Sequence, residues 1–366
     1  MIRLLHVADV HLGAPFTSLG ARGAEQRDQL RRTFARCVEL ALERRCQLVL
    51  VSGDLFHTPY PPRSLAAFAA EQLRRLVQGG LKVFAIAGNH DASPDGVWTR
   101  PDFLARLEGV VVFGDQPEQV ALEPGLVVVG RSATPQRNPL EDWPRPPGPA
   151  VGLAHGPVYR PGQVEDPSAI RPDQIRALGL DYLALGDWHS AQEVHPLPHL
   201  SWYAGAPEFL SLDQPGFGHA LVVTLEGRGR VSVEPVRVAR RRYHAESLPV
   251  EGLDEQALRT RLEALADPDL VLEVTLRGIR EPDQVLPLHL VAQEYADRFF
   301  RLVLRDASHP RLDEEALERF EPTTVLGQFV RRMRERIQGS PPEERPVLEE
   351  ALQLGVAALQ GREVTP

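Results

Sequence analysis

The chain has 366 residues, of which 43% are hydrophobic and 25% are charged, and its formal net charge at pH 7 is −9. This composition excludes a disordered chain, and no apolar run approaches the ~20 residues that a transmembrane helix needs. The acidic balance argues against a protein that wraps DNA on a broad cationic surface, although it permits a local basic groove.

The first 110 residues alternate apolar strands with amphipathic helices. Strands are predicted at 2–8 and in the segments "CQLVLVSGD" and "LKVFAIAGNHD", and helices at 23–45 and 61–78. Near-continuous apolar strands are typical of a sheet that is covered on both faces. From about 110 to 238, short strands separated by turn residues predict a second sheet packed against the first.

Two features predict a protein of the reducing cytoplasm. Cys37 and Cys46 are the only cysteines, which is too few for a disulfide framework. The opening segment "MIRLLHVADVHLG" is apolar for only a few residues. It resembles a first buried strand more than a signal peptide, which requires an apolar core and a small-residue cleavage site.

The pattern changes near residue 239. Helices at about 254–266 and 284–297 and strands at 270–277 and 299–306 predict a small α+β unit. From 311 onward two amphipathic helices are joined by a Gly-Ser-Pro-Pro turn, and they form a hairpin with one exposed apolar face. A terminal hairpin has little else to cover this face, so we interpret it as a docking surface. We therefore expect three units, at 1–238, 239–308 and 309–366.

Five short segments with polar side chains each follow an apolar strand: "ADVHLG", "SGDLFH", "AGNHD", "LAHG" and "LGDWHS". Alternation along a strand predicts that Asp9 and His11 face the same way, as do Asp187 and His189. Sites in layered α/β proteins lie beyond the carboxyl ends of strands, so all five segments should meet at one rim. Such a set of carboxylates and imidazoles suits two divalent ions about 3.5–4 Å apart.

The ordered motifs D-x-H, G-D, G-N-H-D, H-G and G-x-x-H resemble those of the calcineurin-like metallophosphoesterases. The forms "DVHLG", "GDLFH" and "GNHD" are similar to the DNA repair branch of SbcD-type exonucleases and the YhaO group. Over about residues 1–230 the resemblance implies an α/β fold, a four-layer sandwich of two packed β-sheets flanked by helices. The later segments fit, in order, that branch's small α+β capping domain, which contacts DNA, and its C-terminal helical hairpin, which docks a partner ATPase.

The resemblance implies a dinuclear metal site. The first ion would be held by two aspartates and two histidines: Asp9, His11, Asp54 and His189. Asp54 would bridge to a second ion, which would also take Asn89, His155 and Asp187. Manganese is the expected metal and magnesium the alternative, and a hydroxide between the ions would attack the phosphorus.

Three further residues have implied roles beside the ligands. His90 would protonate the leaving oxygen or stabilise the developing charge. Asp91 would orient His90, as carboxylates commonly fix the tautomer of an imidazole. His57 would contact the phosphate or the neighbouring backbone of the substrate.

The last motif departs from the family pattern G-H-x-H, because Asp187 stands where a histidine is expected. A third aspartate adds negative charge and a hard oxygen ligand, which favours manganese or magnesium over zinc. The same charge should lower the Lewis acidity of the ions and raise the pKa of bound water. We expect an active enzyme that prefers manganese.

Two further segments have alternative interpretations. Trp188 would stack on a base of a DNA end, or it would pack over the metal-binding loop. The run Arg240, Arg241 and Arg242 would follow a phosphate backbone, or it would only solubilise the junction between units.

The resulting hypothesis is a manganese-dependent DNA exonuclease and endonuclease. Its implied partners are DNA, an SMC-like coiled-coil ATPase of the SbcC or YhaN type, and a second copy in a homodimer. One alternative is a metallophosphoesterase for cyclic nucleotides or phosphomonoesters, which needs neither a capping unit nor a docking tail. The other is a weakly catalytic or non-catalytic scaffold for the ATPase. The retention of every other expected ligand argues against the scaffold.

Overall fold

The computed structural model describes residues 1–366 except 124, 160–161, 163–165, 167, 195–199, 215, 228 and 363–366. The chain divides into two compact units, Met1–Tyr243 and His244–Pro366. Among the described residues, no helix combines the length and the apolar character that crossing a bilayer requires.

The first unit begins with alternating strands and helices and then becomes rich in strands. Its elements are β1 (Ile2–Val7), α1 (Gly23–Glu43), β2 (Leu48–Ser52), α2 (Arg63–Gln78), β3 (Lys82–Ile86), α3 (Pro101–Leu104), β4 (Val110–Val112), β5 (Glu118–Leu122), β6 (Leu126–Gly130), β7 (Ala150–His155), α4 (Pro172–Leu178), β8 (Tyr182–Gly186), β9 (Gln192–Glu193), β10 (Leu200–Tyr203), β11 (His219–Gly227) and β12 (Arg230–Arg237). Short 3₁₀ helices occupy Thr17–Arg22 and Val97–Thr99. The predicted strands and helices appear in the predicted order, and α3, α4, β5, β9 and β10 are additional elements.

Two six-stranded sheets organise this unit. The first has the order β12-β11-β1-β2-β3-β4, and the second has the order β5-β6-β7-β8-β10-β9. Strands β1 to β4 are parallel, as are β6, β7, β8 and β10. Because parallel strands end at the same edge, the segments that follow β1, β2, β3, β7 and β8 are gathered at one side.

The sheets pack face to face, and helices cover their outer faces. Leu50 and Phe84 of the first sheet share one apolar cluster with Val151 and Ala184 of the second. Helices α1 and α2 pack on the outer face of the first sheet, while α4 packs on the second through Ile175. The result is the expected four-layer α/β sandwich.

The second unit contains a small sheet with helices and a terminal helical hairpin. Its elements are β13 (Arg242–Pro249, which begins just before the boundary), α5 (Glu255–Leu265), β14 (Asp267–Arg277), β15 (Ile279–Arg280), α6 (Leu288–Glu294), β16 (Phe299–Asp306), β17 (His309–Pro310), α7 (Glu314–Glu318), α8 (Val325–Gly339) and α9 (Arg345–Leu359). Strands β13, β14 and β16 form one sheet, and α8 contacts α9.

Helix α6 is shorter than the predicted 284–297, since it begins only at Leu288. Pro287 lies in the missing stretch, and Pro282 lies two residues before it. A proline disfavours helical backbone at the residue before it and cannot donate to the preceding turn. The predicted first turn of this helix is therefore irregular chain.

Candidate metal centre

The candidate ligands of four motifs lie in the turns that follow the strands, whereas His155 is the last residue of β7. Four of these residues have unusual backbone conformations. The φ angles of Asp9, His11, Asp54 and Asp187 are 52°, 48°, 52° and 106°. Residues other than glycine rarely adopt positive φ, and such strain clusters at functional sites. Strand β1 ends at Val7, so strand alternation is the wrong explanation for the direction of Asp9 and His11. Left-handed turns direct them instead.

Backbone hydrogen bonds hold these turns against one another. The Asp9 amide donates to the Gly53 carbonyl at 3.2 Å, and the His11 amide donates to the Asp54 carbonyl at 2.9 Å. The turn after β1 is thus tied to the turn after β2, which fixes both motifs as one piece.

Three glycines permit the close approach of the strand ends. A Cβ atom on Gly53 would lie 2.3 Å from His155 Nδ1, and one on Gly88 would lie 2.2 Å from Asp54 Oδ1. A Cβ atom on Gly186 would lie 2.1 Å from the Ser52 carbonyl oxygen. Any side chain at these positions would occupy the space that the polar residues use.

Asp54 lies between histidines from the two sheets. Its Oδ2 atom is 3.5 Å from His11 Nε2 and 3.4 Å from His155 Nε2. Its Oδ1 atom accepts the His90 amide at 2.9 Å. One carboxylate oxygen therefore faces two imidazoles that the resemblance assigns to different ions, as a bridging ligand requires.

The remaining predicted ligands surround this pair. His11 Nε2 lies 3.2 Å from His189 Nε2, and His155 Nε2 lies 2.9 Å from Asn89 Oδ1. The nearest oxygen of Asp187 is 4.0 Å from His155 Nε2. The structure therefore brings all seven predicted ligands together.

The backbone amide of Asp187 also helps to orient the Asp9 carboxylate. Its amide donates to both carboxylate oxygens of Asp9, at 3.0 and 3.2 Å. The aspartate that replaces the expected histidine thus retains the turn that orients Asp9.

The electrostatics of the centre are dominated by burial. Burial raises the pKa of Asp9 to about 8 and lowers the pKa of His11 to about 3. Burial also opposes the charged forms of Asp54 and His155, but their mutual attraction prevails. The pKa of Asp54 falls to about 2 and that of His155 rises to about 10. At neutral pH these values leave Asp9 protonated and His11 neutral, while the ionised Asp54 carboxylate pairs with a protonated His155.

This donor set fits divalent ions. Two overlapping groups of potential ligand atoms, each within 4.8 Å of one another, are Asp9–His11–His189 and Asp9–Asp54–His155. Carboxylates and imidazoles together suit manganese, iron and zinc. A third such group is formed by His11, His57 and His90.

His57 and His90 stack on each other beside the ligands. Their ring centroids are 5.2 Å apart, and the His90 ring meets the His11 ring edge-on at 4.7 Å. His90 is exposed. It can therefore reach a substrate above the metal ligands, as its predicted role requires.

The carboxylate of Asp91 accepts hydrogen bonds that connect two of the motif turns. It is fully buried, and it accepts the Gly88 amide at 2.7 Å, the Phe56 amide at 3.1 Å and the Trp98 indole at 2.9 Å. These donors occupy both carboxylate oxygens. Asp91 therefore joins the "GDLF" and "GNHD" turns, and no bond from it to the His90 ring is found among the described residues.

The residues predicted to contact DNA differ in their exposure to solvent. The Trp188 side chain is 48% exposed, so about half of the indole surface is available to a substrate. Arg241 is only 3% exposed, and its guanidinium donates to Glu25 at 2.5 Å. Arg241 is therefore a structural residue in this conformation and does not follow a phosphate backbone. Arg240 is exposed, and Arg242 is half-buried.

Sequence reasoning missed two groups that orient ligands. The Ser52 carbonyl lies 2.9 Å from His155 Nδ1, and Gln214 Nε2 lies 2.6 Å from His189 Nδ1. Such outer contacts fix the orientation of ligating imidazoles. Gln214 is 6% exposed, and its Oε1 atom accepts the Leu210 amide at 3.1 Å. It belongs to no motif, so nothing local in the sequence identifies it.

Comparisons with known proteins identify a matching family and several relatives. The family model for calcineurin-like phosphoesterases matches residues 2–223. The DNA double-strand break repair protein Mre11 of Aeropyrum pernix is 29% identical over 66% of this chain and 62% of its own length. The Mre11 protein of Methanopyrus kandleri is 28% identical over 57% of this chain and 49% of its own. The chain thus spans about half to three fifths of these two relatives.

A third relative and two solved structures are also similar. The Mre11 protein of Sulfurisphaera tokodaii is 22% identical over 78% of this chain and 76% of its own. The crystal structure of a Thermus thermophilus protein, TT1561, is 13% identical, covers 65% of this chain and 99% of its own, and has a TM-score of 0.43. A dimetal phosphatase from Danio rerio is 12% identical over 65% of this chain and 99% of its own, with a TM-score of 0.39.

Proposed function

Since this chain belongs to the calcineurin-like phosphoesterase family, we propose that it is a metal-dependent nuclease that hydrolyses phosphodiester bonds of DNA. The family supplies the reaction class, which is metal-assisted hydrolysis of a phosphate ester. The choice of DNA is supported by the relatives, which carry the name of a DNA double-strand break repair protein. Exonuclease activity is the main expected activity, with endonuclease activity beside it.

The observation that carries this proposal is the position of Asp54. Its Oδ2 atom faces His11 and His155 at 3.5 and 3.4 Å, and the remaining candidate ligands surround these three side chains. Two bound ions would supply a nucleophilic water and would neutralise charge on the phosphoryl oxygens. The first would be held by Asp9, His11, Asp54 and His189, and the second by Asp54, Asn89, His155 and Asp187.

The chain's own residues then perform the remaining steps. His90, exposed beside the ligands, would donate a proton to the leaving oxygen or stabilise its charge. His57 stacks on His90 and would contact the phosphate from the same side. Asp91 would hold the turn that carries His90 in position, through the backbone bonds described above.

We propose manganese as the physiological metal. The candidate site contains three aspartates, Asp9, Asp54 and Asp187, and a carboxylate-rich site favours hard cations over zinc. Magnesium is the alternative.

We propose that the second unit connects the nuclease to its partners. Residues 239–308 would form a capping unit that contacts DNA, and residues 309–366 would dock an SMC-like coiled-coil ATPase of the SbcC or YhaN type. Val325 and Val347, near the beginnings of α8 and α9, are 75% and 68% exposed, which supports a docking role.

We further propose a homodimer and a cytoplasmic location, the latter supported by the two free, buried cysteines.

The proposal is tested by a nuclease assay in manganese on blunt, nicked and hairpin DNA. The wild-type protein should degrade DNA, and His90→Ala should lose at least about 100-fold in rate. Lys82→Ala, which truncates an exposed side chain at the first residue of β3, is the control. Hydrolysis of bis-p-nitrophenyl phosphate without any cleavage of DNA would favour a small-substrate phosphoesterase. Inactivity on both substrates with metal bound would favour a scaffold.

A further inference from the structure

The loop between β10 and β11, residues 204–214 and 216–218, is bonded to the candidate ligand His189. The Ala206 amide donates to the His189 carbonyl at 2.9 Å, and the Gln214 side chain lies 2.6 Å from His189 Nδ1. The loop therefore holds both the backbone and the ring of His189. We call it the Glu208 loop, after the buried residue near its middle.

The Glu208 loop is also bonded to residues 238–243, through which the chain passes toward the second unit. We call residues 238–243 the exit segment. Gly216 and Tyr243 exchange two backbone hydrogen bonds, at 2.9 and 3.2 Å. The Gly218 carbonyl accepts two more amides of the exit segment, both at 3.2 Å. One loop therefore contacts both the metal centre and the exit segment.

The carboxylate of Glu208 is the central connection in this arrangement. It is fully buried, its Oε1 atom accepts the Arg241 amide at 2.9 Å, and its Oε2 atom accepts the Arg240 amide at 3.1 Å. Oε2 also accepts the Thr33 hydroxyl of α1 at 2.6 Å. The loop, the exit segment and α1 therefore meet at one side chain.

These three donors explain how a carboxylate is tolerated at a buried position. Burial raises the pKa of Glu208, whereas the bonds from Thr33 and from the two backbone amides lower it. Without such partners a buried carboxylate would be strongly unfavourable. Glu208 takes part in no step of the proposed hydrolysis and lies outside the five motifs. Its bonds instead fix the exit segment against the loop.

Short bonded steps connect Glu208 to His189 on both sides. Leu210, two residues after Glu208, donates its amide to Gln214 Oε1 at 3.1 Å, and Gln214 contacts the His189 ring. Ala206, two residues before Glu208, is bonded to the His189 carbonyl. Because the loop is bonded to both, displacement of the exit segment would shift the candidate ligand.

We propose that Glu208 is a positioning residue that couples the first metal position to the exit segment. An ion held by His189 would stabilise the loop and, through Glu208, the backbone of the exit segment. By linkage, loosening the exit segment would weaken the binding of that ion by the same factor. The metal centre would thus respond to changes where the second unit begins. The inference rests on the proposed function for the assignment of His189 as a metal ligand.

The test is hydrogen–deuterium exchange of the whole chain with and without manganese, measured on a peptide that covers the exit segment. In the wild type, manganese should slow exchange there by about fivefold or more, as expected for linked sites. Glu208→Gln leaves one acceptor oxygen for three donors, so the slowing should fall below about twofold. Its affinity for the first ion, measured by calorimetry, should fall by about fivefold.

Two further variants separate coupling from general stability. Thr33→Val removes the bond to α1 but leaves both bonds to the exit segment. It should therefore lower the melting temperature and retain the slowing of exchange by manganese. Glu226→Gln, at an exposed glutamate of β11, is the matched control and should change neither quantity.

Two results would overturn the inference. The first is loss of the slowing in Thr33→Val as well as in Glu208→Gln, which would assign Glu208 to the general stability of the loop. The second is a response of Glu208→Gln to manganese that equals the response of the wild type.

Failure of the inference can be told apart from failure of the proposed function. If manganese binds the wild type without slowing exchange in the exit segment, the coupling is refuted and the nuclease proposal stands. If binding and slowing are both observed but every DNA stays intact, the nuclease proposal fails and the coupling stands. Absence of manganese binding would refute both.

Discussion

Gly186 lies so close to Ser52 that a Cβ atom on the glycine would be 2.1 Å from the Ser52 carbonyl oxygen. The same carbonyl lies 2.9 Å from His155 Nδ1. The end of β8 in one sheet therefore contacts the end of β2 in the other, and His155 lies at this contact. The metal centre depends on this contact between sheets, and not only on the side chains that would bind ions.

Gly186→Ala should consequently damage the centre without removing a ligand. The methyl group would displace the Ser52 carbonyl and rotate His155, and overpacking of this kind costs about 1–3 kcal/mol of unfolding free energy. We expect manganese affinity at the second position to fall at least about tenfold in a calorimetric titration. Gly148→Ala is the control, because a Cβ atom there meets nothing within 4 Å. Equal metal binding in both variants would contradict the expectation.

Asp187 should determine metal preference. Asp187→His restores the imidazole of the family pattern, and we expect the ratio of zinc to manganese affinity to rise, by about tenfold, because nitrogen ligands suit zinc better than a carboxylate does. Asp187→Ala removes the donor altogether and should weaken the second ion. The measurement is competitive metal titration, with quantification of bound metal. If Asp187→Ala binds two ions as tightly as the wild type, Asp187 is not a ligand.

Gln214 should position His189. Its side chain is bonded to His189 Nδ1 at 2.6 Å and to the Leu210 amide at 3.1 Å. Gln214→Leu should lower affinity for the first ion by about 10- to 100-fold, whereas Gln214→Glu, which can still bond the imidazole, should retain most of it. Gln256→Leu on the exposed face of α5 is the matched control. A loss of thermal stability without a change in metal affinity would assign Gln214 a purely structural role.

Local patterns explain which parts of this protein could be predicted from its sequence. The apolar strands, the amphipathic helices and the five polar turns can each be recognised from about ten consecutive residues. The burial of Arg241 has no such signal. Its partner Glu25 lies far away in the chain, and its own amide is held at 2.9 Å by Glu208. The run "ARRRY" therefore resembles an exposed basic patch until the tertiary contacts are known.

The left-handed backbone of the motif turns could not be predicted from the sequence either. Asp9 and His11 are spaced as if they lay on one face of a strand, and the strand stops two residues earlier. Their convergence depends on hydrogen bonds to Gly53 and Asp54, which come from another motif. Spacing identified the correct side chains, but the geometry arises from contacts between turns.

Trp188 should contribute to DNA binding. Its side chain is 48% exposed and lies between two candidate ligands, Asp187 and His189. Stacking of a base on an aromatic ring contributes about 1–3 kcal/mol. Trp188→Ala should therefore raise KM for DNA by about tenfold with a smaller change in kcat, and Trp188→Phe should recover most of the affinity. A fall in kcat alone would indicate that the indole shapes the metal-binding loop.

His6 should make the stability of the first unit depend on pH. Burial lowers the pKa of His6 to about 3 from an ordinary value of 6.5, and its Nδ1 atom lies 2.8 Å from the hydroxyl of Tyr182 on the other sheet. Below pH 6.5 His6 becomes protonated in the unfolded chain, whereas in the folded chain it stays neutral. The free energy of unfolding should therefore fall as the pH decreases from 6.5 toward 3, by about 1.4 kcal/mol per pH unit from this residue. Well above pH 6.5 the residue is neutral in both states and contributes no pH dependence.

His6→Gln isolates this contribution, because glutamine can still bond Tyr182 but does not titrate. Urea unfolding at pH 7.5, 6.5 and 5.5 should show a steeper loss of stability in the wild type than in the variant between the two lower values. Between pH 7.5 and 6.5 the stabilities of the two proteins should diverge by only about a third as much. Parallel curves over the whole range would mean that His6 accepts a proton in the folded state, through opening of the contact between the two sheets.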